Sequence, residues 1–488
     1  MEKIYIGKGS EEVYLLANKA NQHGLIAGAT GTGKTVSLKV LAEQFSDMGV
    51  PCILSDVKGD LTNLSVPGEM NDKLSSRLQE LGLDDFQFDS YPVNIWDVYG
   101  QAGIPLRVSI SEMGPVLLSR ILDLNDTQLA VLNAAFRVAD ESGMLLIDIK
   151  DLRSLLNELL ENKEEFSKLY GSIAPQTVHA ILRKLLLLED SGGNIFFGET
   201  AIDISDLFAR DSNGKGLINI LSSARLIQNP MIYSMFLLYL LNELFEILPE
   251  VGNPELPKLI FFFDEAHLLF ESCPKHLEEK IEQLVRLIRS KGVGVYFVTQ
   301  NPLDIPSGVA GQLGNRIIHG LRAFSPKDKK EIDGIVETFR ENPDLDIKES
   351  ILNLRTGEAL VSILEESGNP SMAHKVLISP PHSSFQALTD SQVQAEIQKN
   401  PLYNKYIKVV DRESAYEILE KSIALRQREL ELEKREEELA KEDKRARGTG
   451  RSRSNDLVGK SVNSFLGSIS RAIGRELARN LLGSLRRK

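Results

Sequence analysis

Apolar positions follow two rhythms along the chain. Short, mainly apolar, strand-like runs, each followed by polar residues, occur at 24–28, 50–54, 216–221, 259–263, 293–298 and 317–321. Runs of this length predict strands covered on both faces. Between them apolar residues recur every three or four positions, as at 34–48, where Gly49 follows as a helix C-cap. This alternation predicts an α/β core with a parallel sheet, opened by a strand, loop, helix, strand unit. The runs at 359–364 and 374–378 predict added edge strands, and Pro380 with Pro381 ends the compact part. From 111 to 190 the spacing is helical throughout, as in Leu152, Leu155, Leu156, Leu159 and Leu160. An all-helical insertion therefore splits the core.

The rhythm changes again near the end. Residues 411–443 are strongly acidic; Ile418, Leu425, Leu432 and Leu439 lie seven apart, but Lys, Ser, Arg or Glu occupies the companion heptad position. A lone charged helix is expected there rather than a stable coiled coil. A Gly- and Arg-rich linker follows, and then Val462, Phe465, Ile469, Ile473, Leu477, Leu481 and Leu485 mark one face of a basic amphipathic helix. The expected organisation is 1–110 and 201–385 for the two parts of the core, 111–200 for the insertion, 386–447 for a charged helical region, and 448–488 for the basic linker and helix.

Composition narrows the function classes. The 488 residues allow about three structural units, and 42% hydrophobic with 26% charged residues is globular usage. The net charge of −12 divides into +10 for residues 444–488 and −22 for the rest, so the body repels polyanions and must meet any nucleic acid locally. Two cysteines make no disulfide framework, the N-terminus has no apolar signal segment, and the longest apolar stretch, 235–241, is too short for a bilayer. A soluble cytoplasmic protein is expected, with the basic helix as its route to a membrane or nucleoid periphery. His267, Cys273 and His276 lie close together but fall one ligand short of a structural zinc site.

The chemistry is concentrated in three strand ends. Gly28, Ala29, Thr30, Gly31, Thr32, Gly33, Lys34 and Thr35 match G-x-x-x-x-G-K-[ST] between a predicted strand and helix, and Val36 belongs to the helix end that follows. Such a loop turns backbone N–H groups around phosphate oxygens, Lys34 neutralises β- and γ-phosphate charge, and the Thr35 hydroxyl can ligate Mg²⁺. The run 259–263 ends in Asp264 and Glu265: the first can hold Mg²⁺, as a Walker B aspartate does, and the second can polarise an attacking water. The run 293–298 ends in Thr299 and Gln300, where a polar side chain can sense the γ-phosphate or orient water. ATP and Mg²⁺ are the expected ligands. A single such core has no second-side cation for the transition state, which favours a ring of subunits.

With GLIAGATGTGKT at 24–35, SDVKGDL at 55–61, FFFDEAHLLF at 261–270, LIRSKGVGVYFVTQNP at 287–302 and GNRIIHGLRAF at 314–324, the chain resembles the HerA/FtsK superfamily of P-loop motors, most closely the HerA-like bacterial family of the YjgR type. The resemblance covers 20–325. It implies a RecA-like core, a hexameric ring and ATP-driven translocation on duplex DNA. It also implies Gln300 as the sensor and Arg289 as the arginine near the γ-phosphate, with Arg286 and Arg316 as competing choices. The residues themselves leave two other functions open: a secretion-type ATPase that moves protein or DNA–protein substrates, and a nucleotide-switched binding protein with slow turnover.

Overall fold

The computed structural model describes residues 2–446 apart from Ser272, Cys273, Phe324, Val409 and Asp411, with the side chains of Ala440 and 442–446 also set aside. The basic linker and amphipathic helix expected at 448–488, and Cys273 of the zinc reading, lie outside the described residues. The chain forms two compact units. One comprises Met1–Arg107 and Thr200–Lys408; the other comprises Val108–Glu199 and the described residues after Lys408.

The first unit is built on one twelve-stranded sheet. Its strands are β1 (Lys3–Lys8), β2 (Glu12–Leu16), β3 (Gly24–Ala27), β4 (Cys52–Asp56), β5 (Val93–Asp97), β6 (Ile104–Pro105), β7 (Ile218–Ser222), β8 (Leu259–Phe263), β9 (Val293–Thr299), β10 (Asn315–His319), β11 (Glu358–Ser362) and β12 (His374–Ile378). They are ordered β2-β1-β12-β11-β10-β3-β9-β8-β4-β7-β5-β6. From β10 to β6 every pairing is parallel. From β10 to β2 every pairing is antiparallel. The expected α/β fold is thus present, and its parallel sheet carries an antiparallel wing on one flank. Strands β11 and β12, expected at an edge, are interior to that wing because the N-terminal hairpin β1–β2 covers them.

Burial explains why some strands are plain in the chain and others are not. All five residues of β8 are buried, and Phe261 and Phe263 stack with ring centroids 4.1 Å apart. By contrast β1 reads KIYIGK, half-buried and bulged between Tyr5 and Gly7, and a Cβ on Gly7 would lie 2.1 Å from the Leu377 carbonyl oxygen. Strand β10 begins two residues before its apolar run because buried Asn315 is fully used: its amide donates to the Lys19 and His23 carbonyls and accepts from Leu364 N–H. Strand β4 likewise extends to Ser55 and Asp56, both buried. The helix Lys34–Asp47 crosses one face with Leu38, Leu41 and Phe45 seated among Ile26, Leu54, Phe262 and Val298. Truncating Phe45 to Ala in such a core costs about 3–5 kcal/mol. The helix Pro230–Ile247 is long and apolar enough to cross a bilayer by composition, yet 61% of it is buried, and it packs on the helix Lys275–Ile288.

In the second unit the helices Ile110–Ile121, Asp126–Glu141 and Ile149–Glu161 each open on a capping box, at Ser109, Asn125 and Asp148. The helix Ala415–Ala446 is docked rather than solvated at its start. Ala415 and Leu419 are buried, Ser414 donates to Asp151, and Arg426 pairs with buried Glu158 at 2.5 Å. Farther on, Leu425, Leu432 and Leu439 are each more than half exposed.

Two buried imidazoles give the sheet a pH signature. His23 presents Nε2 to the Val285 carbonyl at 2.8 Å and accepts Val295 N–H on Nδ1. His319 presents Nδ1 to the Glu358 carbonyl at 3.0 Å, which leaves Nε2 to accept the Ser37 hydroxyl at 2.8 Å. A second proton would fall on a nitrogen already accepting, and burial lowers each ring to about 4. A histidine lowered from 6.5 contributes stability that is present above pH 6.5 and lost as the pH falls toward 4. The cost of His319→Gln should therefore shrink by roughly 1–2 kcal/mol between pH 7.5 and pH 5. Urea unfolding of variant and parent at both pH values checks it, and the buried carboxylates, common to the pair, cancel.

Candidate active site

Parallel register gathers the functional residues. Ala27 pairs with Thr299, Phe297 with Phe263, and Phe263 with Ser55, so β3, β9, β8 and β4 end along one edge. Gly28, Gln300, Asp264 and Asp56 leave neighbouring strand ends there. Because β9 lies between β3 and β8, Gln300 stands between the phosphate loop and the acidic pair.

The loop owes its shape to glycines. Gly31 and Gly33 have φ of 77° and 122°, and a Cβ on Gly28 would lie 2.5 Å from the His319 Cβ. Lys34 folds back to donate to the Gly28 carbonyl at 2.7 Å and the Ala29 carbonyl at 3.2 Å. No side chain caps the helix at Gly33, so its first backbone N–H groups face the loop, as an anion site requires. Thr32 ties the loop down through its hydroxyl to Ala29 O at 2.7 Å and its carbonyl to Gly357 N–H at 2.9 Å. A cleft of about 400 Å³, lined by Ala29, Thr30, Gln300, Asn301, Leu321 and Arg322 among others, opens beside it.

Opposite stand two carboxylates in different electrostatic states. Asp264 is almost fully buried; desolvation, reinforced by the Glu265 charge, pushes its carboxyl up to about 7. A buried carboxyl so short of compensating charge suits a cation. With the part-exposed Thr35 hydroxyl it makes the sparse oxygen set that Mg²⁺ takes when phosphates and water complete its shell. For Glu265 burial also raises the carboxyl, but the Lys58 ammonium at 2.5 Å, with Gln300 and His267, outweighs it and holds the group below the ordinary glutamate range. Gln300 Nε2 lies 3.3 Å from Glu265 Oε2, its Oε1 accepts from Thr30 Oγ1 at 3.4 Å, and His267 Nδ1 is 3.4 Å from Oε2. Glu265 holds φ at 49°, a left-handed value rare for a residue with a Cβ and common at active sites.

Lys34, Thr35, Asp264, Glu265 and Gln300 are thus brought to one edge. The arginines are not. Arg289 follows the helix Lys275–Ile288 at the entry end of β9, whose seven residues separate it from Gln300 by roughly 20 Å. Arg286 pairs with Glu282 at 3.1 Å on the preceding turn, and Arg316 donates to the Leu313 and Thr338 carbonyls. Four site residues escaped sequence reasoning: Lys58, Asp56, His319 and Arg322. Asp56 accepts the N–H groups of Lys58, Gly59 and Leu61 and so shapes the loop that carries Lys58; burial lifts it to about 6. The charged cluster SDVKGDL at a strand end was the available signal.

A family profile described as helicase HerA-like C-terminal matches residues 2–488. The chain belongs to this HerA-like family. Among characterised HerA relatives, the DNA double-strand break repair helicase HerA of Sulfolobus acidocaldarius is 23% identical over 373 residues, covering 73% of this chain and 66% of the relative. The protein of the same name from Saccharolobus solfataricus is 23% identical over 362 residues, covering 73% and 64%. The HerA-like chain here therefore spans just under two thirds of the length of these curated relatives. Among solved structures, the plasmid coupling protein TrwB in complex with ADP and Mg²⁺ aligns with a TM-score of 0.52 and 16% identity over 80% of this chain and 92% of that one. That likeness concerns the fold.

The two sides of the site predict separable defects. Lys34→Ala should weaken nucleotide binding at least about tenfold, whereas Glu265→Gln should hold affinity within about threefold and slow hydrolysis about 10²–10³-fold. Fluorescent-nucleotide titration beside a phosphate-release assay distinguishes them.

Proposed function

We propose that this chain is a Mg²⁺-dependent ATPase that drives movement of duplex DNA from a cytoplasmic oligomeric ring. The observation that carries the ATPase reading is the bridge from Thr30 through Gln300 to Glu265, which links the phosphate loop to a strained carboxylate at the next strand end but one. Lys34 and the uncapped helix end hold the phosphates, and Thr35 and Asp264 would hold Mg²⁺. The metal supplies charge neutralisation of the phosphate oxygens. Glu265 accepts the proton of a water aimed at the γ-phosphorus, and Gln300 fixes that carboxylate relative to the loop.

Membership of the HerA-like family and the names of its relatives support the DNA reading. The ring is supported by the arginines, since Arg289 stands at the far end of β9 from its own Glu265 and suits the site of a second copy. Residues 448–488 are proposed as an added contact to phosphates, whether of DNA or of an anionic membrane.

ATPase rate with and without duplex DNA, at low and moderate salt, tests this directly. Stimulation of about threefold or more that fades with salt is expected; a rate indifferent to DNA overturns the motor reading in favour of a secretion-type or switch ATPase. Arg289→Ala and Glu265→Gln, each inactive alone, should regain turnover when mixed, because one supplies an intact site and the other its arginine. No recovery at any ratio rejects the shared site.

A further inference from the structure

The Lys58 ammonium is the closest partner of the one carboxylate placed to take a proton from water. It lies 2.5 Å from Glu265 Oε1, while Oε2 accepts from Gln300 Nε2 at 3.3 Å. With both oxygens engaged by donors, Glu265 is a poor general base in this geometry. The pair is a weak stabiliser, since the Lys58 side chain is 44% exposed and half-exposed ion pairs add little to folding. Its effect falls instead on the chemistry.

The geometry also provides a second place for the ammonium. The backbone of Lys58 is pinned, its N–H and those of Gly59 and Leu61 being held by Asp56. Its flexible four-carbon stem is not pinned. Lys34 follows β3, Lys58 follows β4, and Asp264 and Glu265 follow β8, so the parallel register sets all four at neighbouring strand ends along one edge. A triphosphate seated on Lys34 would bring its terminal phosphate to that edge, and two more negative charges there compete with one carboxylate for the cation.

We propose that Lys58 is a triphosphate-sensing latch on Glu265: the γ-phosphate of a nucleotide seated on Lys34 draws the Lys58 ammonium to itself and releases the carboxylate to act as base. In the step so enabled, the water oxygen bonds to the γ-phosphorus as the bond to the β–γ bridging oxygen breaks. The diphosphate leaves with that electron pair, and the water proton passes to Glu265. A diphosphate lacks the group that opens the latch, so the base stays engaged. This inference rests on the nucleotide reading of the site, and it makes Lys58 a positioning residue that also discriminates triphosphate from diphosphate.

The test compares Mg²⁺–AMPPNP and Mg²⁺–ADP binding to the full-length parent, Lys58→Met and Lys58→Arg by calorimetry, with circular dichroism to verify folding. Lys58→Met is expected to weaken AMPPNP about tenfold and ADP by no more than about twofold, and Lys58→Arg to restore most of the AMPPNP affinity. Equal losses for both nucleotides, or no loss for either, overturn the latch while leaving the nucleotide site standing. A parent that binds neither nucleotide overturns the site and the latch together.

Discussion

Asp264 and Glu265 sit nearly out of water at the end of a strand made only of apolar residues, and much of the surrounding structure answers that cost. Removing an ion from water costs several kcal/mol even after the protein relaxes, so such a pair persists only with cations and donors arranged around it. The two acids are served differently. Glu265 receives Lys58 and Gln300 and remains ionised; Asp264 has little to compensate its burial and is pushed toward the neutral form. One strand end thus holds a charged group and a group that awaits a charge. The separation depends on backbone as much as on side chains, because the left-handed turn at Glu265 lets adjacent residues face different surroundings.

The sheet makes this arrangement possible by aligning four strand ends in parallel, and the layer beneath keeps the loop from shifting. His319 carries the weight there. It lies against Gly28 and Gly33, it holds Ser37 of the following helix, and it reaches the Glu358 carbonyl on the next strand. Loop, helix and antiparallel wing therefore meet on one neutral ring. A larger side chain at either glycine would displace it, which is a local reason for the loop's composition beyond phosphate access.

The parts legible in the chain were those where one physical demand acts alone. An interior parallel strand needs only apolar side chains, so β3, β8 and β9 are visible as runs, and a phosphate cradle needs glycines and a lysine at fixed spacing. Strands that answer two demands were hidden. β1 and β2 alternate weakly because they cap a wing, and β5 carries Asn94 and Asp97, which are buried only because Asn219 and turn N–H groups meet them. The register of β10 depended on Asn315, a polar residue whose partners lie far away in sequence. Lys34, Thr35, Asp264, Glu265 and Gln300 were found from their positions at strand ends, whereas the pairing of Lys58 with Glu265 could not be, since nothing in 55–61 says which strand stands beside β4. The docking of the 415–446 helix was concealed likewise: Arg426 looks solvated until Glu158 is placed beside it.

That helix has a consequence of reach. Its 32 residues span about 48 Å, and among the described residues the contacts that anchor it lie within the first few turns. Ions screen a charge in physiological salt over about 8 Å, so the far end, about 30 Å beyond Arg426, stands roughly four screening lengths from the last of the ion pairs at its root. The end of the helix at Ala446 is thus screened from the ion pairs that anchor its first turns, and a charge carried there is felt by what lies beside it rather than by the root.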